Sequence, residues 1–219
     1  MKLHKNVSTL SFVHRYQICA VFKQILGIHD IEHFSLDLVR PDEEMLFLSG
    51  TPSHGYEICK RGYAQYDGII SPEYYQKHEF YWWKNACHKK YADKIAEIRE
   101  GVLNLKYGFM LVRKWNDFYL IYSFATKRHN LDFQSKVVNN INELLRMGDF
   151  AYMELRNIYA EYCGDFTPPV IDTFYAFQGG EPPARYSKDY QLQNAIYKPE
   201  SNIIHVDFKN KIKYPFSTS

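Results

Sequence analysis

Asp67 stands in "YAQYDGIISPEYYQKHEFYWW", Tyr63 to Trp83, among tyrosine, phenylalanine and tryptophan rings and in a stretch with no helical or strand period long enough to account for them. A carboxylate held among rings needs a hydrogen-bond donor, and a ligand amide can supply one where no neighbouring Arg or Lys does. Asp67-Gly68 is also a common turn dipeptide, and the two roles are compatible. Trp82 and Trp83 are adjacent on what reads as a strand, so one ring should face inwards and the other outwards. A packed core ring is the simpler account of Trp82.

No other constellation supports catalysis. Cys59 with His54, or Cys87 and His88 with Asp93, supply a thiol and a base on paper, but no glycine-rich nucleophile turn or oxyanion device accompanies either set. His29, His33, His54, His78 and His88 lack the HExxH or HxH spacing of a metal site, and no motif calls for a cofactor. The sequence therefore reads as non-enzymatic, with no catalytic residue, metal or cofactor expected.

Composition narrows the partners. Lys and Arg number 27 against 25 Asp and Glu, a net charge of +2, so the whole chain offers no electrostatic footprint for nucleic acid and no polybasic membrane signal. Its 219 residues suit one domain, or one domain with a substantial tail, and the 46% hydrophobic fraction can furnish a core. Aromatic residues make up 17%, which serves a wide pocket or a sticky surface as readily as a core. Cys19, Cys59, Cys87 and Cys163 show no CxxC or paired spacing, which favours a reducing compartment over a disulfide framework. With no apolar leader core and no run of eighteen apolar residues, the expectation is a cytoplasmic protein, or alternatively one secreted into a host cell.

The elements that must position Asp67 follow from periodicity. Ser11 to Gly27 reads as an amphipathic helix carrying Phe12, Ile18, Val21, Phe22, Ile25 and Leu26. Alternation at Phe34, Leu36 and Leu38, a turn at Pro41-Asp42 and a second run from Met45 to Leu48 predict a hairpin. Pro52 opens a short helix through Tyr56, Ile58 and Cys59, and another helix is expected over roughly 86–105. "KYGFMLVRKWNDFYLIYSFAT" predicts two central strands joined at Asn116-Asp117. A long helix spans 131–163, bent near Gly148. This order predicts an α+β domain, with helices packed against an antiparallel central sheet, similar to PAS-like and GAF-like sensor domains. Prolines and paired glycines from Gly164 onwards place a boundary there: a domain over 1–163 and a C-terminal extension over 164–219, partly docked, with a short strand pair around Lys209-Asn210.

From His54 the steps are four to Ile58, five to Tyr63, four to Asp67 and fifteen to Trp82. This ladder resembles the ligand-binding half of LuxR-type quorum-sensing regulators, where a tryptophan, a tyrosine, another aromatic, an aspartate followed by proline, and a second tryptophan recur at those intervals. Tyr63, Asp67 and Trp82 match; His54 and Ile58 stand at the first two rungs, and Gly68 replaces the proline. The resemblance implies that Asp67 binds the amide N–H of an acylated signal molecule and that Trp82 forms a wall. It puts His54 where the family's indole donor contacts the lactone carbonyl. The family's helix-turn-helix half has no counterpart, since 164–219 lacks three short apolar-periodic helices and a basic recognition helix, so DNA binding by this chain is not expected.

The expectation is a sensory or regulatory module that binds a small amphipathic molecule in a pocket whose ligand-binding residues are His54, Tyr56, Ile58, Tyr63, Asp67, Trp82, Phe109 and Tyr122. Ligand burial would bias a homodimer or a protein partner, because a ligand shifts an equilibrium only by its differential affinity for the two states. The alternative keeps the fold but fills it. The rings are then core, and the chain is a ligand-free protein–protein interaction module, such as an antagonist of full-length regulators or a secreted effector.

Overall fold

The computed structural model describes residues 2–86, 88–127 and 132–171. The strand pair expected around Lys209-Asn210 lies outside them. The described chain is α+β, as the element order predicts: a six-stranded sheet in the order β1-β3-β2-β6-β5-β4, antiparallel except for the β1–β3 pair, with helices against it.

Both hairpins form where apolar alternation and turn chemistry coincide. β2 (His33–Val39) pairs with β3 (Glu44–Ser49), and β5 (Tyr107–Trp115) pairs with β6 (Phe118–Thr126). The second turn is entered through Asn116 at φ 53°, a left-handed conformation that Asn tolerates better than most residues. β4 (Phe80–Trp82) adds to β5, and β1 (Lys2–Leu3), which no sequence pattern announces, runs parallel to β3 at the far edge.

Cross-strand register sorts the side chains onto two faces. Trp82, Phe109, Phe124 and Phe34 lie opposite one another in one row, and Phe80, Leu111, Tyr122, Leu36 and Leu48 in the next. This first face carries the main core. It is covered by α2 (Arg15–Phe22) through Ile18, Val21 and Phe22, and by α7 (Ile141–Tyr162) through Leu144, Leu145, Ala151, Tyr152, Leu155, Ile158 and Tyr159. The α7 positions recur at helical three-and-four spacing, so one stripe of the helix is buried along its length. Tyr159 Oη donates to the Leu36 carbonyl at 2.6 Å, and Asp149 binds Arg113 of β5 and accepts from Tyr122 Oη at 2.7 Å.

Three helix boundaries differ from expectation. The first helix is two, α1 (Val7–Val13) and α2, broken at His14, whose Nε2 lies 3.2 Å from Tyr162 Oη of α7. The long C-terminal helix is also two, α6 (Asp132–Asn139) and α7, and the break falls at Asn140 rather than Gly148. Gly148 lies within α7 because the Tyr122 ring packs onto it: a Cβ there would be 2.2 Å from the ring. The helix expected over 86–105 shrinks to α5 (Ala92–Glu97) followed by a π-turn over Ile98–Val102.

Residues beyond Gly164 continue along α7 as far as they are described. Tyr152 Oη donates to the Pro169 carbonyl at 2.7 Å, Arg156 Nε reaches the Pro168 carbonyl at 2.8 Å, and Ile171 joins the main core.

Candidate functional site

The second face of the sheet is also covered, which the alternation of the strands does not announce. Row by row it carries Tyr81, Met110, Ser123, Ser35 and Ser49, then Val112, Ile121, Asp37 and Phe47. Its cover is made of short irregular pieces: α3 (Pro52–Lys60), the 3-10 turns at Ala64–Tyr66, Gly68–Ile70 and Trp83–Asn85, α4 (Pro72–Tyr75), α5 and the π-turn.

These pieces touch the flanks of the face most closely. On the β3 side Gly55 of α3 lies over Phe47, where a Cβ would be 2.5 Å from the ring. On the β5 side the Trp83 indole lies on Gly108, and over the inner strand β6 the Tyr75 ring is 5.1 Å from that of Tyr119. Along the inner strands β2 and β6 the floor is mixed: Val39, Ile121 and Ala125 join an apolar cluster with Tyr75, Tyr81, Trp83 and Met110, and among them stand Ser35, Asp37 and Ser123. Ser35 is half-buried although it lies on an inner strand.

Asp67 is 2% exposed, and Arg99 of the π-turn supplies donors to its carboxylate. Arg99 Nη2 reaches both carboxylate oxygens, at 2.6 and 2.8 Å, and its guanidinium lies 4.6 Å over the Trp83 ring. This corrects the premise that no neighbouring cation serves Asp67, because the partner is remote in sequence and adjacent in space. Gly68 lets the segment close on the following turn: a Cβ would sit 1.2 Å from the Ala86 carbonyl oxygen, so no other residue fits without moving backbone.

Two further titratable groups lie on the same face. Asp37 is 5% exposed, and among the described residues its carboxyl has no hydrogen-bond or ion-pair partner; burial, with a smaller contribution from Asp67, pushes its pKa up to about 8. His33, its ring 6.1 Å from Trp83 and its Nδ1 3.3 Å from Thr51 Oγ1, is lowered to about 4, first by burial and then by the Arg99 and Lys127 charges. At neutral pH both therefore favour their uncharged forms. Ser123 Oγ is buried with no hydrogen-bond partner.

The structure splits the residues singled out from the sequence. Asp67 lies in the second-face cover, and Ile58 and Tyr63 pack there together with Ile95 and Ile98. Trp82, Phe109 and Tyr122 lie on the first face, with the Trp82 and Phe109 rings 5.6 Å apart, so the sheet separates them from Asp67. Tyr56 is 41% exposed, with Lys60 Nζ 5.7 Å from its ring centre. His54 lies on α3, its side chain outside the described set. The wall beside Asp67 is Trp83, one residue beyond the ladder position, because β4 ends at Trp82 and the following 3-10 turn carries the next ring inwards. Arg99, Asp37, Ser123 and Trp83 were not singled out. For Asp37 the signal was available: a carboxylate out of phase with Phe34, Leu36 and Leu38 on a strand of the central sheet.

Among the described residues no cluster of His, Cys, Asp and Glu could hold a metal ion, and no helix is long and apolar enough to cross a membrane. Within the cover, an open cavity of about 390 Å³ is lined by Leu3, Gly62, Ala64, Gln65, Ile70, Ser71 and Pro72, flanking the segment that carries Asp67.

No family model matches the chain, and no curated protein matches it. Solved structures do. SdiA in complex with octanoyl-rac-glycerol aligns with a TM-score of 0.49 at 15% identity over 64% of this chain, and the match spans only 59% of the SdiA chain. A crystal structure of Escherichia coli SdiA aligns with a TM-score of 0.48 at 14% identity, covering 72% of this chain and 69% of that one. The N-acylhomoserine lactone-dependent LuxR family transcription factor CepR2 from Burkholderia cenocepacia aligns with a TM-score of 0.44 at 10% identity, covering 70% of this chain and 99% of that one. These alignments cover 64–72% of this chain at 10–15% identity.

Proposed function

We propose that this chain is a non-enzymatic sensory module that binds a small amphipathic molecule between the second face of its sheet and the short helices and turns above it. The observation that carries the reading is the polar patch in the floor of that layer. A core built only for stability does not place an unpaired carboxyl and an unsatisfied hydroxyl, Asp37 and Ser123, on the inner strands beneath a covering layer, because each costs desolvation without a returning hydrogen bond. A ligand that meets these groups removes the penalty, and its apolar part finds Ile121, Met110, Phe47 and the Trp83 ring. Asp67, Ile58 and Tyr63 belong to this site as parts of the cover, with Asp67 holding Arg99 and Trp83 in place rather than acting as a bare anchor.

Thermal unfolding of the full chain with a panel of amphipathic molecules, octanoyl-glycerol and N-acylhomoserine lactones among them, tests this. At least one member should raise Tm in proportion to ln(1 + [L]/Kd), and Trp83→Ala should diminish the rise. A Tm indifferent to every member would overturn the reading.

A second reading, docking to a protein partner or a second copy, is favoured by one observation. Phe12, Val13 and Tyr16 are 46%, 68% and 94% exposed around the α1–α2 break, an apolar cluster on the outer surface. Phe12→Ser with Tyr16→Ser should leave Tm unchanged and abolish self-association in analytical ultracentrifugation if a second copy docks there. The two readings are compatible, since one concerns the interior layer and the other the surface.

A further inference from the structure

The layer that holds Asp67 and Arg99 balances in charge only while Asp37 keeps its proton. Among the described residues, its deeply buried ionisable side chains are two carboxyls, Asp37 and Asp67, one guanidinium, Arg99, one imidazole, His33, and the phenols Tyr75 and Tyr81, which burial keeps neutral. Asp67 and Arg99 satisfy each other at 2.6 and 2.8 Å. His33 stays neutral through the physiological range, and Lys127 at the end of β6 is exposed. That leaves Asp37 as the buried acid without a counter-charge.

Its surroundings on the sheet are specific. Ser35 precedes it on the same face of β2, Ser123 pairs with Ser35 across the β2–β6 ladder, and Ile121 and Phe47 pair with Asp37 itself. Same-face neighbours across a ladder lie about 5 Å apart and diagonal ones about 7–8 Å, so Asp37 and the two serines form one polar patch on the face. All are hydrogen-bond acceptors, and Ser123 Oγ has no partner. An ammonium group has three donors and no acceptor, and needs this set of partners. The apolar pairs on either side, with Met110 beyond Ser123, suit a short hydrocarbon or aryl body.

We propose that this site takes a ligand bearing a protonated amine, seated on the Asp37 carboxyl between Ser35 and Ser123, with its apolar body against Ile121, Phe47 and Met110. The proposal rests on the small-molecule reading above and specifies the ligand's polar group. With Asp37 ionised, the monocation keeps the buried charge of the layer at zero: two carboxylates, one guanidinium and one ammonium. At neutral pH the Asp37 carboxyl carries a proton in the free protein, so binding the ammonium releases that proton to the buffer while the amine keeps its own. The bound state is an ammonium–carboxylate pair.

The test uses the full chain and matched probes: primary amines from propylamine to octylamine and phenethylamine, each beside its alcohol and carboxylate counterparts at equal concentration. At least one amine should raise Tm by about 3 °C at ten times its Kd, above both counterparts. Asp37→Asn, an isosteric change that removes the buried charge and should fold at least as well, should erase the preference; Ser123→Ala should weaken amine binding several-fold. Calorimetry of the stabilising amine in two buffers of different ionisation enthalpy should show close to one proton released at neutral pH. The proposal is overturned if no amine exceeds its alcohol and carboxylate, or if Asp37→Asn keeps the preference. If neutral molecules stabilise the wild type and Asp37→Asn alike, the sensory reading stands and the amine inference alone fails. If nothing of any class stabilises the chain, both fail.

Discussion

Arg99 Nη2 holds both carboxylate oxygens of Asp67, at 2.6 and 2.8 Å, across 32 residues of chain. The contact ties the irregular segment after α3 to the π-turn before β5, and the guanidinium stacked on Trp83 adds the ring of a third segment. Removing one member of a buried pair leaves the other charge uncompensated. Asp67→Asn and Arg99→Met should therefore each cost about 3–5 kcal/mol in urea unfolding, and Asp67→Leu with Arg99→Met together much less than the sum. Arg99→Lys should not rescue fully, because an ammonium lacks the planar group that lies over Trp83. Single substitutions that leave stability unchanged would show that the pair is ornamental.

Stability should fall as pH rises from about 6.5 to about 8. Asp37 has a folded pKa near 8 against an ordinary 3.8, so the folded state retains a proton that the unfolded state has lost; its contribution is complete below 3.8 and is lost as pH rises through 8. His33 has a folded pKa near 4 against 6.5, so its contribution is present above 6.5 and is lost as pH falls through 4. Between about 4 and 6.5 the two proton linkages nearly cancel. Above 6.5 the Asp37 loss, offset slightly by the last of the His33 linkage, amounts to about 1 kcal/mol by pH 8. Unfolding curves at pH 6.5 and 8 should show this difference in the wild type and lose it in Asp37→Asn.

Two glycines should respond differently to alanine for a stated steric reason. At Gly68 the obstacle to a Cβ is the Ala86 carbonyl, 1.2 Å away, and backbone cannot yield without opening the turn after β4. At Gly148 the obstacle is the Tyr122 ring at 2.2 Å, which is held by Asp149. Both substitutions should destabilise by about 1–3 kcal/mol or more. Only Gly68→Ala should raise amide exchange locally over 64–70 and 83–86, whereas Gly148→Ala should act on α7 and the main core.

The two adjacent tryptophans should separate core from site. Trp82→Phe disturbs the ring stack with Phe80 and Phe109 and should lower stability while leaving ligand response intact. Trp83→Phe removes the indole that hydrogen-bonds Met110 Sδ at 3.1 Å and carries Arg99, and should change the response. Methionine methyl resonances report the same division. Met45 and Met110 on the second face should shift on addition of a stabilising ligand, and Met147 and Met153 on α7 should not.

The hairpins were legible because alternation and turn dipeptides agree: Phe34, Leu36 and Leu38 with Pro41-Asp42, and the runs flanking Asn116-Asp117. Their antiparallel pairing and the α+β class follow from that agreement. The two-residue strand β1 has too few positions to show a period. The break at Asn140 could not be read because Gly148 is the more conspicuous residue, and its reason, the Tyr122 ring, comes from another strand. The site was half legible. Spacing led to Asp67, but its partner Arg99 belongs to a segment whose apolar residues, Ile95 and Ile98, announce only a helix. Trp82 fits the ladder while Trp83 meets Arg99, a distinction of one residue set by where β4 stops. Ser35, Asp37 and Ser123 alternate out of phase with the main core and so read as a solvent face; only the covering layer turns them into a buried floor.

The most direct test of the central claim is native followed by denaturing mass spectrometry of the full chain, purified without added ligand. A small molecule bound between the sheet and its short helices predicts a stoichiometric adduct in the native spectrum that is lost on denaturation, and that is absent from a variant with the floor filled by Ser123→Leu. The bare chain mass under native conditions, or an adduct that survives unchanged in Ser123→Leu, would contradict it.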